Sequence, residues 1–155
     1  MQIKHLHLVN FRNYKQLDIE FTSNKTVIVG DNAQGKTNLV EAVYFLATLN
    51  STRTSNDSDL ITWGEITSLI EGFIEKDNGF STELDVIISP GKPKVFKLNK
   101  LKKNTYKDFL GHIAVVSFSV DDLLLLRGTP KDRRKWIDAS ISQLYPVYHY
   151  KMAVY

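Results

Sequence analysis

Apolar and polar residues alternate over residues 2–9, where Ile3, Leu6 and Leu8 stand among polar neighbours, and this pattern predicts a strand. Phe11-Arg12-Asn13-Tyr14 predicts a turn, because asparagine suits turn conformations. Leu17, Ile19 and Phe21 then alternate with Asp18 and Glu20 in a second, half-buried strand. After Thr22-Ser23-Asn24 comes Thr26-Val27-Ile28-Val29, a short β-branched run of the kind found in strands buried on both faces. A glycine-rich loop follows, and beyond it Leu39, Val40, Val43, Tyr44, Leu46 and Ala47 recur at helical spacing.

Residues 50–59 are polar and turn-rich and predict a loop. Two strands are expected at 66–74 and 80–88, around the turn Lys76-Asp77-Asn78-Gly79. In the second, Phe80, Thr82, Leu84, Val86 and Ile88 fall on one face and Ser81, Glu83 and Asp85 on the other. Ser89-Pro90-Gly91 turns the chain, Val95–Leu98 adds a strand, and together these segments predict an antiparallel meander at about 65–100. Residues 113–118 form a second dense apolar strand. Ser119-Val120-Asp121-Asp122 suits a helix N-terminus, with Leu123–Leu126 as a short helix stopped by Gly128. Thr129 and Pro130 then open a longer helix carrying Trp136, Ile137, Ala139, Ile141 and Leu144, which Pro146 breaks. Trp136 and Ile137 fall at core spacing, so part of that helix is expected to be structural.

Strands and helices in this order predict an α/β protein. The same order divides the chain into a mixed α/β lobe over 1–118 and the start of a helical lobe at 119–155. The chain has 155 residues, 43% of them hydrophobic and 24% charged, which is ordinary globular composition for one domain. It has no cysteine, which excludes disulfides and thiolate metal sites. No apolar run approaches the roughly 20 residues that span a bilayer, and the N-terminus has no signal-peptide core. A cytoplasmic protein without a membrane partner is expected.

A net charge of +3 says little about partners, but its distribution says more. Lysines 92, 94, 97, 100, 102, 103 and 107 lie in one stretch without an acidic residue. Lys and Arg total 20 and Asp and Glu 17, so outside that stretch acids outnumber bases by four. The positive field is therefore local, and these lysines, with Phe96 and Tyr106 interleaved, suit the neutralisation of several phosphates in duplex DNA. A solvated face explains the same run.

Gly30-Asp31-Asn32-Ala33-Gln34-Gly35-Lys36-Thr37 matches G-x-x-x-x-G-K-[ST], between a predicted buried strand and an amphipathic helix. Glycines let successive N–H groups converge on phosphate oxygens, and the helix N-terminus adds partial positive charge. Lys36 is expected to bridge β- and γ-phosphates and the Thr37 hydroxyl to ligate Mg²⁺, with ATP as the nucleotide. The loop by itself does not separate kinases, GTPases, motors and transporters.

Further segments do. Asn10–Tyr14, Gly30–Leu39, Ser51–Ser55, Asp59–Gly64, Ser119–Leu123, Arg127–Asp138 and Ser142–Tyr148 together resemble the bacterial RecF recombination-repair family, in order and along the whole chain. The resemblance implies an ABC-type ATPase head, a P-loop NTPase lobe with an antiparallel β subdomain and the start of a helical second lobe. It implies ATP held between two protomers, binding to gapped DNA at single–double strand junctions, and help in loading the RecA recombinase with the partners RecO and RecR. By the same resemblance Arg12 is expected to contact the phosphates or adenine, Arg53 to lie near the nucleotide or DNA, and Ser119 and Asp121 near the γ-phosphate or Mg²⁺. A solvated turn arginine and a plain surface arginine are the bland readings of the first two. N-capping of the short helix explains Ser119 and Asp121 equally well.

DNA contact is expected from Lys94, Lys97, Lys100, Lys102 and Lys103, with a second basic set at Arg127, Lys131, Arg133, Arg134 and Lys135. The four histidines, 5, 7, 112 and 149, share no metal-ligand spacing and are expected to be structural, with His5 and His7 on one strand face. The family's signature motif and acidic Walker B strand have no match, since Asp121-Asp122 precedes the apolar run rather than following it. The chain is therefore expected to be a fragment or a truncation that holds nucleotide weakly and hydrolyses it at no useful rate. A small nucleotide kinase is disfavoured because a β meander follows the P-loop helix. A non-catalytic ATP-binding module remains the other alternative.

Overall fold

The computed structural model describes residues 1–119, 129–145, 147, 148 and 151. The readings at Val120, Asp121, Asp122, Leu123–Leu126, Arg127, Gly128, Pro146 and His149 lie outside the described residues, as do the side chains of Lys135 and Ala139.

Six strands form one antiparallel sheet in the order β2-β1-β3-β4-β5-β6. They are β1 (Gln2–Phe11), β2 (Tyr14–Glu20), β3 (Ser68–Glu75), β4 (Ser81–Ile88), β5 (Val95–Leu98) and β6 (Leu101–Lys103). The first hairpin and the later meander are continuous because β1 pairs with β3 as well as β2. Only β6 has no counterpart in the apolar pattern. It follows from a two-residue turn in which Asn99 and Lys100 both take positive φ, 49° and 65°, matching the twist of the flanking strands.

The inner face of the sheet carries Leu6, Leu8, Ile70, Ile74, Leu84 and Val86, all fully buried. Helix α1 (Lys36–Thr48) covers it with Leu39, Ala42, Phe45 and Leu46. Each large side chain removed from water in this way contributes about 1.5–3 kcal/mol before the entropy of ordering is subtracted. A cluster of Phe96, Tyr106 and Phe109, with ring centroids 5.4 Å apart, closes the β5 end. The second helix, α2 (Pro130–Leu144), reaches back through Gln143 Oε1, which accepts from the Val115 amide at 2.8 Å.

On the outer face, one straight row of titratable residues crosses all six strands. Asp18, His7, Glu71, Asp85, Lys97 and Lys102 stand directly opposite one another in successive pairs. His5 and His7 do share this face, as expected, and both bond the Asp18 carboxylate, at 2.7 and 2.8 Å. These two bonds hold Asp18 below its ordinary pKa.

Several expectations fail, each for a physical reason. Residues 26–29 and 113–118 are not strands, and Val27, Val29, Val116 and Phe118 are 83–97% exposed. A two-sided strand needs neighbours to pair with, and no described strand adjoins either segment. Only Ile113 of the second run is buried. Phe80 is exposed because it belongs to the turn, where its carbonyl accepts from the Lys76 amide. Asp85, expected on the solvent side, is 2% exposed beneath Lys100. Trp136 and Ile137 are exposed, so the apolar spacing on α2 does not mark a buried face there.

Candidate phosphate-binding loop and its arginine flank

Gly35 is the residue on which the loop turns into α1. It adopts φ +100°, and a β-carbon there would come within 2.7–2.9 Å of the Asn13 amide and the Tyr14 hydroxyl. A residue without a side chain satisfies both constraints. The β1–β2 turn therefore buttresses the loop from below. Helix α1 begins at Lys36 with no side-chain cap and no acidic residue in its first turn, leaving its N-terminal amides and their partial positive charge uncompensated. Lys36 Nζ arches across the loop and donates to the carbonyls of Gly30 and Asp31, at 2.7 and 2.6 Å. Asp31, Asn32, Ala33, Gln34 and Thr37 are exposed around it. The loop thus offers an uncapped helix N-terminus, one ammonium and one hydroxyl, a set suited to phosphate oxygens and a hard divalent cation.

Arg12 and Arg53 both reach the same helix. Arg12, at φ 55° in the turn after β1, donates from Nε and Nη2 to the two carboxylate oxygens of Glu41, at 3.0 and 2.7 Å, and from Nη1 to the Asp59 carbonyl at 2.9 Å. Arg53 donates from Nη1 to Asn38 Oδ1 at 2.7 Å and to Glu41 Oε2 at 3.4 Å. Asn38 in turn donates to Asn13 at 2.8 Å, and Ser51 to Glu41 at 2.6 Å. The Glu41 side chain is 1% exposed. Burial pushes its pKa up, but Arg12, Ser51 and Arg53 outweigh burial and hold the carboxyl below the ordinary glutamate range.

Glu41 escaped the sequence reading, and Asn13, Asn38 and Ser51 entered it only within the matching segments, with no role assigned. The available signal was a polar pair three residues apart, Asn38 and Glu41, on an otherwise apolar helix.

The five candidate DNA lysines divide. Lys94 bonds the Leu49 carbonyl at the end of α1 at 2.7 Å, pairs with Asp57 at 2.9 Å, lies 5.2 Å over the Phe45 ring and is 12% exposed. Lys100 is gathered by Glu83, Glu71 and Asp85 at 2.8, 3.0 and 3.6 Å. Glu83 and Glu71 hold its ammonium well above the ordinary lysine pKa. Lys102 is exposed, while Lys97 and Lys103 are half-buried near the same sheet edge.

A model of the AAA ATPase domain matches residues 1–120. A chain of the recombination mediator protein RecF, in its RecF–ATP form from the RecFOR pathway, superposes with a TM-score of 0.92 at 32% identity, over 97% of this chain and 40% of that one. An SMC ATPase structure from work on ATP-driven dimerisation and DNA-stimulated activation aligns with a TM-score of 0.72 at 25% identity, over 90% of this chain and 99% of that one. Together with the glycine-rich loop, these matches define a P-loop NTPase head of α/β class, and the chain belongs to the AAA ATPase domain family. Within that class its likeness is to RecF. The "DNA replication and repair protein RecF" of Halalkalibacterium halodurans is 44% identical over 155 residues, and that of Crocosphaera subtropica 48% over 149. The chain spans 41% and 39% of those two relatives' length. Among the described residues no helix is long and apolar enough to cross a membrane.

Proposed function

We propose that this chain is the ATP-holding part of a cytoplasmic, RecF-like protein of DNA repair and replication. The observation that carries this is the curled loop at Gly30–Thr37, with Lys36 arched over it and an uncapped helix N-terminus behind it. Lys36 and the loop amides hold the β- and γ-phosphates, Thr37 supplies an oxygen to Mg²⁺, and Arg53 lies beside the loop with N–H groups free of Glu41. When bound, Mg²⁺ neutralises phosphate charge. Arg12 serves the same site from behind, through Glu41. Hydrolysis needs a carboxylate that can orient water, and Glu41, engaged by two arginines and a serine, is not available for that work.

The likeness to RecF supports the wider assignment: binding to gapped duplex DNA, cooperation with RecO and RecR in loading RecA, and ATP-dependent pairing of two heads. Of the lysine run, Lys97, Lys102 and Lys103 are the cations we assign to DNA phosphates, because Lys94 and Lys100 are engaged by partners within the fold. The test of the nucleotide site is a titration with fluorescent ATP. Lys36→Ala should abolish binding, and unchanged affinity would refute the assignment.

A further inference from the structure

Glu41 gathers four donors on one buried carboxylate. Oε1 accepts from Arg12 Nη2 and Ser51 Oγ, and Oε2 from Arg12 Nε and, more distantly, Arg53 Nη1. These donors come from the turn after β1 and the loop after α1, while Glu41 itself stands on the helix that the phosphate loop opens. One negative charge thus ties three segments together and leaves a surplus of one positive charge beside the loop.

The two arginines are held very differently. Arg12 has Nε, Nη1 and Nη2 all engaged, and its side chain is 18% exposed. Its φ of 55° lies in the left-handed region, which non-glycine residues adopt rarely and keep only when the surroundings enforce it. The Arg53 side chain is 47% exposed, and among the described residues its guanidinium bonds only through Nη1. Its short bond is to Asn38, two residues after Lys36, and Asn38 connects through Asn13 to the close approach beneath Gly35.

We propose that Glu41 is a positioning residue for nucleotide binding: it fixes Arg12 as a strut beneath the phosphate loop and tethers Arg53 where its remaining N–H groups face the bound phosphates. Arg12 then acts through Glu41 and touches no phosphate. This rests on the assignment of Gly30–Thr37 as the triphosphate site.

The sign of one effect separates positioning from plain electrostatics. A carboxylate near an anion site repels the anion, so neutralising it without disturbing its neighbours should tighten binding. If Glu41 positions the arginines, neutralising it releases them and weakens binding.

The experiment measures fluorescent-ATP affinity and thermal midpoint for wild type, Glu41→Gln, and the double variant Arg12→Met/Glu41→Met. The double variant replaces the ion pair with apolar side chains and protects against a fold lost to an unpaired buried charge. The expected result is about tenfold weaker binding in both variants, the size of one lost charge-assisted hydrogen bond, with the double variant keeping a cooperative melt near wild type. In a folded variant, binding unchanged or tighter than wild type overturns the proposal. If wild type itself binds no ATP, the site assignment fails instead, and the two failures are distinct.

Discussion

Leu46 of α1 lies directly over Gly72 of β3, in the space a β-carbon would occupy. Helix and sheet meet closely there because residue 72 has no side chain, and Leu46 is fully buried in the gap. Gly72→Ala should therefore drive the buried Leu46 side chain out of its rotamer or lift the helix from the sheet, at a cost of about 1–3 kcal/mol, the usual penalty of overpacking. Denaturant unfolding measures it. Because α1 carries the phosphate loop at its N-terminus, the same variant should also weaken ATP binding.

Lys100 neutralises a patch that is otherwise acidic. Asp85 has its pKa raised by burial, with Glu71 and Glu83 adding to the effect and Lys100 opposing it. A carboxyl whose folded pKa is raised contributes stability below its ordinary value of 3.8 and loses that contribution as pH rises through the folded value. Lys100→Met removes the larger of the two opposing cations, leaving Lys97 to face Asp85 and its two glutamate neighbours. The variant should be less stable than wild type by about 1 kcal/mol at neutral pH, a modest figure because the ammonium is more than half exposed. Melts repeated towards pH 4 should show the difference shrinking as the carboxylates protonate.

Lys94 closes the C-terminal end of α1, where its ammonium meets the Leu49 carbonyl and the negative end of the helix dipole. Lys94→Met keeps the aliphatic stem and loses those bonds, for a cost of about 1–3 kcal/mol in a urea titration. Binding of DNA should change little, since this charge is engaged within the fold.

The reverse is expected at the sheet edge. Charge reversal at Lys97, Lys102 and Lys103 should weaken duplex binding and flatten the dependence of affinity on salt, by about one unit of slope for each phosphate that a lysine no longer neutralises. A slope unchanged in the triple variant would mean that these lysines form only a solvated face.

The strands were legible wherever one face was buried and the other wet, because alternation then marks the pleat. The β1, β2, β4 and β5 patterns all translated directly into pairing. Residues 26–29 and 113–118 misled because a dense apolar run reports a demand for neighbours without naming them. The loop proposed for the triphosphate stood out in sequence through its glycines and Lys36, because a motif of fixed spacing needs no fold to be seen. Its supporting shell was not. Glu41 looks in sequence like any solvent-facing helix glutamate, and only the arrival of Arg12, 29 residues away, shows why it is buried. Lys94 and Lys100 misled in the opposite direction: a run of lysines suggested a common face, but alternation along strands and a turn sent two of them to internal partners.

Backbone amide shifts followed by NMR during titration with Mg²⁺ and ATP test the central claim most directly. The largest changes should fall on Gly30–Thr37, with smaller ones at Asn13, Asn38 and Arg53, and Lys36→Ala should remove them. Shifts confined to other parts of the sheet, with the amides of 30–37 unmoved at saturating nucleotide, would contradict it.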